Sequence, residues 1–292
     1  MEWVRAGEVF ASARPGEPDS VRMLRPWVLE EETGALRMWY SEHDGITGRI
    51  AAAIRRPGEG WRRLGVAIDA GFAGDSDQYS VESPCVVHTP GGYLMAYGGF
   101  DGEATRLHMA TSSDGHTWIP QGTIMQRGSQ DALAATHPCI VRTEAGWWLF
   151  FSGYNGAGNS RRAMILAAVS PSGASWDRVG AVLEPTDGEL ATSHPCVVVI
   201  ARTFHMFYAS DDGDQVRIAT ATSADGLAWD RHGTTLEAAG GGPDAHDVHT
   251  PCAVRCHDGS LHLWYAGLEA GDTHLGYRIC SARFSGPWST GA

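Results

Sequence analysis

Ten residues in five pairs hold the chemistry this chain can do: Leu24-Arg25, Glu82-Ser83, Thr136-His137, Ser193-His194 and His249-Thr250, each pair directly before a proline. Together they bring one arginine, one glutamate and three histidines to equivalent places in a repeat, with Arg22, His246 and Asp247 close by in sequence. A carboxyl group among imidazoles can give or take a proton, and histidines in ordinary surroundings titrate near neutrality, which suits proton shuttling. An arginine offers a fixed charge and a fork of donors for an anionic or hydroxyl-rich ligand. Core packing calls for none of these groups, because buried charges and imidazoles are costly unless paired or solvated. Glu82, Asp247, His137, His194 and His249 are therefore the candidate catalytic residues, and Arg25, Arg22 and His246 candidate substrate-binding residues. A second chemistry stays open: His137, His194 and His249 as neutral ligands of a divalent metal ion in a central channel, with Glu82 or Asp247 as a fourth ligand or base.

The elements that must position them repeat. Pro26, Pro84, Pro138, Pro195 and Pro251 follow one another at spacings of 58, 54, 57 and 56 residues. A Trp-x-x-x-Gly sequence recurs with them at Trp3, Trp61, Trp118, Trp176 and Trp229. A fixed period of this length marks supersecondary units that stack on one another. Each unit reads as four short strands: a β-rich run after the proline, a second such as Leu36–Tyr40 or Leu261–Tyr265, a third such as Ile50–Ala53, and a fourth opened by Ser-x-Asp-Gly-x-x-Trp (Ser112 to Trp118, Ser223 to Trp229). No stretch carries a sustained helical period. The class predicted is all-β, a five-bladed β-propeller with four antiparallel strands per blade, filling residues 1–292 as one domain. The fifth unit runs short of a fourth strand, and Trp3 opens an orphan one. Residues 2–10 are expected to complete the last blade and close the ring, hiding two edges.

An acid stands seven residues before four of the prolines, at Asp19, Asp77, Asp131 and Asp244, with Asp187 or Glu189 near the fifth place. A repeated acid reads first as a bracket for loop amides. Asp19, Asp77 and Asp131 also stand as candidate substrate-binding groups on the approach to the pocket. Four of the six cysteines, Cys85, Cys139, Cys196 and Cys252, follow the repeat proline directly. Packed sheets lie roughly 10 Å apart, too far for a disulfide between equivalent places, so these read as buried thiols.

The net charge of −12, with no basic cluster, argues against a nucleic acid or an anionic membrane as partner and leaves a small molecule. No apolar run precedes residue 20 or approaches membrane-spanning length, which reads as a cytoplasmic protein.

The blade signature Pro26-Trp27-Val28, Met38-Trp39-Tyr40-Ser41 and Ala110-Thr111-Ser112-Ser113-Asp114-Gly115-His116-Thr117-Trp118 resembles the five-bladed propellers of glycoside hydrolase families 43, 32 and 68 and the related mannoside phosphorylases. The resemblance covers essentially the whole chain. It implies a sugar or sugar-like substrate and a general acid on an inner strand, in a Glu-Gly-Pro or Glu-Cys-Pro motif. Glu82-Ser83-Pro84 is the match here. Those families place an aspartate at the start of the first inner strand, where this chain has Arg25. Canonical glycoside cleavage uses two carboxylates, so a second would come from Asp19, Asp77, Asp131 or Asp247. Asp247 is favoured because it is specific to its blade and stands beside two histidines. Some members hold a central cation through water and a histidine, which is the softer form of the metal reading. Two alternatives accompany the glycosidase reading: the same pocket reused for elimination, isomerisation or cyclisation, and a non-catalytic carbohydrate-binding propeller.

Overall fold

The computed structural model describes residues 2–10, 21–156, 162–271 and 276–286. They form twenty strands: β1 (Trp3–Glu8), β2 (Arg22–Glu30), β3 (Leu36–His43), β4 (Gly48–Arg55), β5 (Arg62–Ile68), β6 (Ser80–Thr89), β7 (Gly92–Phe100), β8 (Thr105–Ser112), β9 (Ile119–Thr123), β10 (Ala134–Thr143), β11 (Gly146–Asn155), β12 (Arg162–Ser170), β13 (Asp177–Leu183), β14 (Ala191–Ile200), β15 (Thr203–Asp211), β16 (Val216–Ser223), β17 (Asp230–Leu236), β18 (Asp247–Arg255), β19 (Leu261–Leu268) and β20 (Arg278–Phe284). Four antiparallel meanders run in order from β2 to β17, linked to one another by single parallel pairs, and a separate four-stranded sheet is ordered β1-β20-β19-β18. The N-terminal strand is thus the outer strand of the sheet holding Pro251, with Trp3 opposite Phe284.

The turn before each outer strand explains its sequence. Ser112 Oγ accepts from Gly115 N at 2.8 Å, and Asp114 Oδ1 accepts from His116 N and Thr117 N, both at 2.8 Å. Gly115 supplies the φ of +70° that closes the turn. Ser223, Asp225 and Gly226 repeat the arrangement. Where Ser172 replaces the aspartate, its hydroxyl takes a single longer bond, 3.3 Å from Ala174 N.

Each unit leans on the next. Five apolar cores lie between units, and the one built from Met23, Val28, Met38 and Tyr40 with Cys252, Trp264 and Ile279 joins the first to the last. Around the inner strands runs a belt of side-chain contacts to the backbone of the following unit. Cys85 Sγ accepts from Ile140 N at 3.0 Å. Cys139, Cys196 and Cys252 accept from Val197 N, Ala253 N and Val28 N, each at 3.2 Å. The fifth place is held by Trp27, whose Nε1 donates to Val86 O at 2.7 Å. All six cysteines are free thiols.

Three of the repeated acids brace their own units from within. Asp131 Oδ2 accepts from Arg178 at 2.7 Å, Glu189 from Arg231 at 2.8 Å and Asp244 from Arg5 at 2.8 Å, in each case joining the approach loop to the outer strand of its own unit. The second unit has Pro120 in that arginine's place, and there Asp77 takes the Tyr97 hydroxyl at 3.1 Å. Asp131 is fully buried while Arg178 is 31% exposed. Removing one partner of a buried pair leaves the other charge uncompensated, but here water can reach the vacated place. Arg178→Met is expected to lower unfolding free energy by about 2 kcal/mol in urea titration. Adding Asp131→Asn to it should recover part of that loss, and additive losses would show that the pair does not brace the unit.

Candidate functional site

A left-handed bulge in every inner strand makes the site. Arg25, Ser83, His137, His194 and Thr250, the residues directly before the five prolines, have φ of 58°, 57°, 51°, 54° and 53°. For residues with a Cβ this costs about 1–3 kcal/mol each and collects where function or packing over-determines it. Strand pairing breaks at the same place five times, between Leu24 and Trp27, Glu82 and Cys85, Thr136 and Cys139, Ser193 and Cys196, and His249 and Cys252. Proline suits the bulge because it has no N–H to leave unpaired. Two of the freed amides are taken by serines of the preceding unit, Ser83 N by Ser41 Oγ and His194 N by Ser152 Oγ, each at 2.8 Å.

The bulge divides the pairs into two layers that the sequence reading had merged. Arg25, Ser83, His137, His194 and Thr250, with all five prolines and Trp27, line one axial cavity of about 30 Å³, room for one small polar group. Glu82 and His249, one residue earlier, stay in strand register beside it. Glu82 reaches the cavity wall by pairing its Oε2 with Arg25 Nη1 and accepts from Thr136 Oγ1 at 3.3 Å through Oε1. His249 lies with its ring centroid 5.4 Å from that of His194 and 4.3 Å from that of Tyr277. The five residues singled out from the repeat are therefore neighbours, in two layers.

The histidines are not near-neutral shuttles, which corrects the expectation drawn from their type. Burial pushes His137 and His194 well below the ordinary imidazole range, and neighbouring His194, Arg25 and His249 push His137 further the same way. Burial, then Arg25, brings His249 down to about 3. All three are neutral at pH 7. Their rings pack on one another at an angle: His137 and His194 have centroids 3.6 Å apart with planes 39° apart, His194 and His249 meet edge-on, and Ser193 Oγ is 2.7 Å from His194 Nδ1. Among the described residues no three His, Cys, Asp or Glu side chains are grouped as ligands to an ion would be.

This neutrality carries a pH dependence with a definite sign. The unfolded chain binds protons on these histidines below about pH 6.5 while the folded chain does not. Stability is therefore complete above neutrality and falls as pH drops through 6.5 toward the folded values. Each histidine contributes about 1.4 kcal/mol per pH unit in that window. Thermal melts from pH 8 to 4.5 should show a flat Tm down to about 7 and a steepening fall below 6, shallower in His137→Gln. A flat profile to pH 5 would contradict the buried neutral state.

Several expected site residues make contacts within the scaffold. Asp247 is buried, accepting from Val216 N at 3.0 Å and lying 3.1 Å from His246 Nδ1. It joins the fourth unit to the fifth and also bonds Tyr277, the ring that packs on His249, but it is not among the residues lining the axial cavity. His246 is half-exposed beside it. Asp77 and Asp131 make the internal contacts described above, and neither is among the residues lining the axial cavity. Asp19 lies outside the described residues. Arg22 does join the site: it lines a side cavity with Arg25, Glu42, His43 and Glu82. Glu42, buried on β3, was missed. Its signal was available, because the residues at its place in the other units are Gly99, Gly153, Ser210 and Gly267.

Six buried polar atoms around this one place have no hydrogen-bond partner among the described residues: Arg25 Nε, Ser83 Oγ, His137 Nδ1 and Nε2, His249 Nε2 and Thr250 Oγ1. Buried polar groups in folded proteins are normally paired, so such a cluster points to a ligand or water.

No protein-family model matches the chain. Two uncharacterized proteins of Mycobacterium tuberculosis, from strains CDC 1551 and H37Rv, are each 25% identical to it over 301 residues, spanning 96% of this chain and 99% of theirs. A solved glycoside hydrolase superposes with a TM-score of 0.80 at 16% identity, over 96% of this chain and 92% of its own. A thermostable family-43 glycoside hydrolase gives 0.74 at 16% identity, over 89% of both chains. A structure from the GH130 family of mannoside phosphorylases, described as containing glycoside hydrolases that target β-1,2 mannosidic linkages in Candida mannan, gives 0.76 at 14% identity, over 97% and 93%. The chain has the all-β propeller fold that these glycoside hydrolases share.

Proposed function

We propose that the five sheets are blades of one closed five-bladed propeller, and that the chain is a glycosidase-like enzyme working by acid–base chemistry on a sugar or sugar-like small molecule at the axial cavity. The observation that carries this reading is the Arg25–Glu82 pair set among buried polar atoms without partners. A rigid fold that holds six unsatisfied polar atoms at its axis is preorganised for a polar ligand. Glu82 is the proton-transfer residue. It is the general acid that protonates the leaving oxygen, and Arg25 is its partner before substrate binds. Glu42, in the side cavity shared with Glu82, is the second carboxylate that two-acid glycoside cleavage requires. The neutral imidazoles of His137, His194 and His249 orient substrate hydroxyls by donating or accepting a hydrogen bond.

The test is release of p-nitrophenol from a panel of aryl pyranosides and furanosides by wild type and Glu82→Gln. Release by wild type alone supports the reading; equal release by both removes Glu82 from the mechanism. A second reading, elimination at a sugar ring, is favoured by Arg25 standing where the resembled families have an aspartate. An unsaturated product absorbing in the near ultraviolet, without p-nitrophenol, would select it.

A further inference from the structure

We infer that the substrate is an acidic sugar whose carboxylate enters the axial cavity and takes Arg25 from Glu82. The inference rests on the axial cavity being the sugar site and adds the class of sugar. Among the described residues Arg25 is the only cation lining the cavity, and its guanidinium already holds one carboxylate, that of Glu82. Its Nε is buried and unpartnered, which leaves a donor aimed at an acceptor that Glu82 does not supply. Ser83 Oγ and Thr250 Oγ1, equally buried and unpartnered, add two hydroxyl donors from the same layer. An acceptor-only group with two oxygens satisfies this set, and a neutral hydroxyl satisfies less of it.

The size and charge of the place narrow the choice. The cavity admits one small group and not a sugar ring, so the ring stays toward the half-buried Glu82 and Arg22 while a substituent reaches the axis. The surrounding imidazoles are neutral and bring no second positive charge. One guanidinium matches a planar monoanion bidentately, whereas a phosphate dianion would leave charge uncompensated. The exchange needs no net change in charge pairing at Arg25, since one carboxylate replaces another. It leaves Glu82 without its partner and free to face the sugar ring.

The test is isothermal titration of the full chain with D-galacturonate, D-glucuronate and D-mannuronate, with the three neutral hexoses of the same configuration, and with inorganic phosphate. At least one uronate should bind tenfold or more tightly than its neutral counterpart. Arg25→Gln should abolish that preference. Glu82→Gln, which removes the internal competitor, should bind the uronate severalfold more tightly than wild type, a gain that misfolding does not produce. Neutral hexoses binding as well as uronates would overturn the inference while leaving the sugar site standing. Phosphate binding with no uronate binding would overturn it in favour of a different anion. No binding by any of them, with wild-type melting intact, would overturn both the inference and the reading it rests on.

Discussion

Glu82→Gln is expected to lower turnover by about 10²–10⁴-fold, the range for loss of a well-placed general acid or base. The substitution keeps the side chain's size, and its carbonyl can still accept from Thr136 Oγ1, as Glu82 Oε1 does at 3.3 Å. What it removes is the exchangeable proton and the charge held by Arg25. Folding should be little disturbed, because Glu82 and Arg25 are 21% and 19% exposed and water can reach the guanidinium once its partner is neutral. The loss should therefore fall on kcat at unchanged melting temperature. A variant that keeps full kcat on the substrate identified in the aryl glycoside panel would eliminate acid–base chemistry at Glu82.

Local chemistry made much of the fold legible in the sequence. Ser112-Ser113-Asp114-Gly115 declares its turn because the hydrogen bonds that fix it span only two or three residues. The prolines, spaced evenly, located the inner strands and their rim. The braces were half visible. Each acid was noticed, but its partner, an arginine two places after a repeat tryptophan (Arg5, Arg178, Arg231), stands 42 to 239 residues away in sequence. Reading the two repeats against each other would have paired them. It would also have shown the second unit as the exception, since Pro120 sits where the arginine should be and Asp77 turns to Tyr97 instead.

The site was legible as a place and not as an arrangement. Pairing any two residues before a proline assumes that both point the same way. The left-handed φ at Arg25, Ser83, His137, His194 and Thr250 separates them, and no residue type announces it, because none of the five is a glycine. Glu42 lay hidden for a different reason. It is on a second strand, outside the repeat position under comparison, and only the register of β2 with β3, Met23 opposite Glu42, brings it to the cavity containing Glu82. Burial likewise decides the protonation of the histidines, and burial is a property of the assembled cores.

Trp27→Ala is expected to cost about 3 kcal/mol of folding stability, the low end of the range for truncating a large core aromatic, because the ring is only partly buried. The expectation rests on where asymmetry enters the repeat. Four units place a cysteine after the proline and the first places Trp27. Its ring packs against all five inter-unit cores, which no cysteine does. Its Nε1 also donates to Val86 O at 2.7 Å, completing the belt that the four thiols make elsewhere. A side chain shared by every core also lines the cavity with Arg25 and His137. Truncation opens a void that no single unit can collapse to fill. Trp27→Cys, which restores the repeat residue and its hydrogen-bonding sulfur, should recover the belt contact but not the filled space, and so remain within about 1 kcal/mol of Trp27→Ala. Urea unfolding of the two variants reads the difference. If Trp27→Cys returned to wild-type stability, the belt and not the packed ring would be what Trp27 contributes.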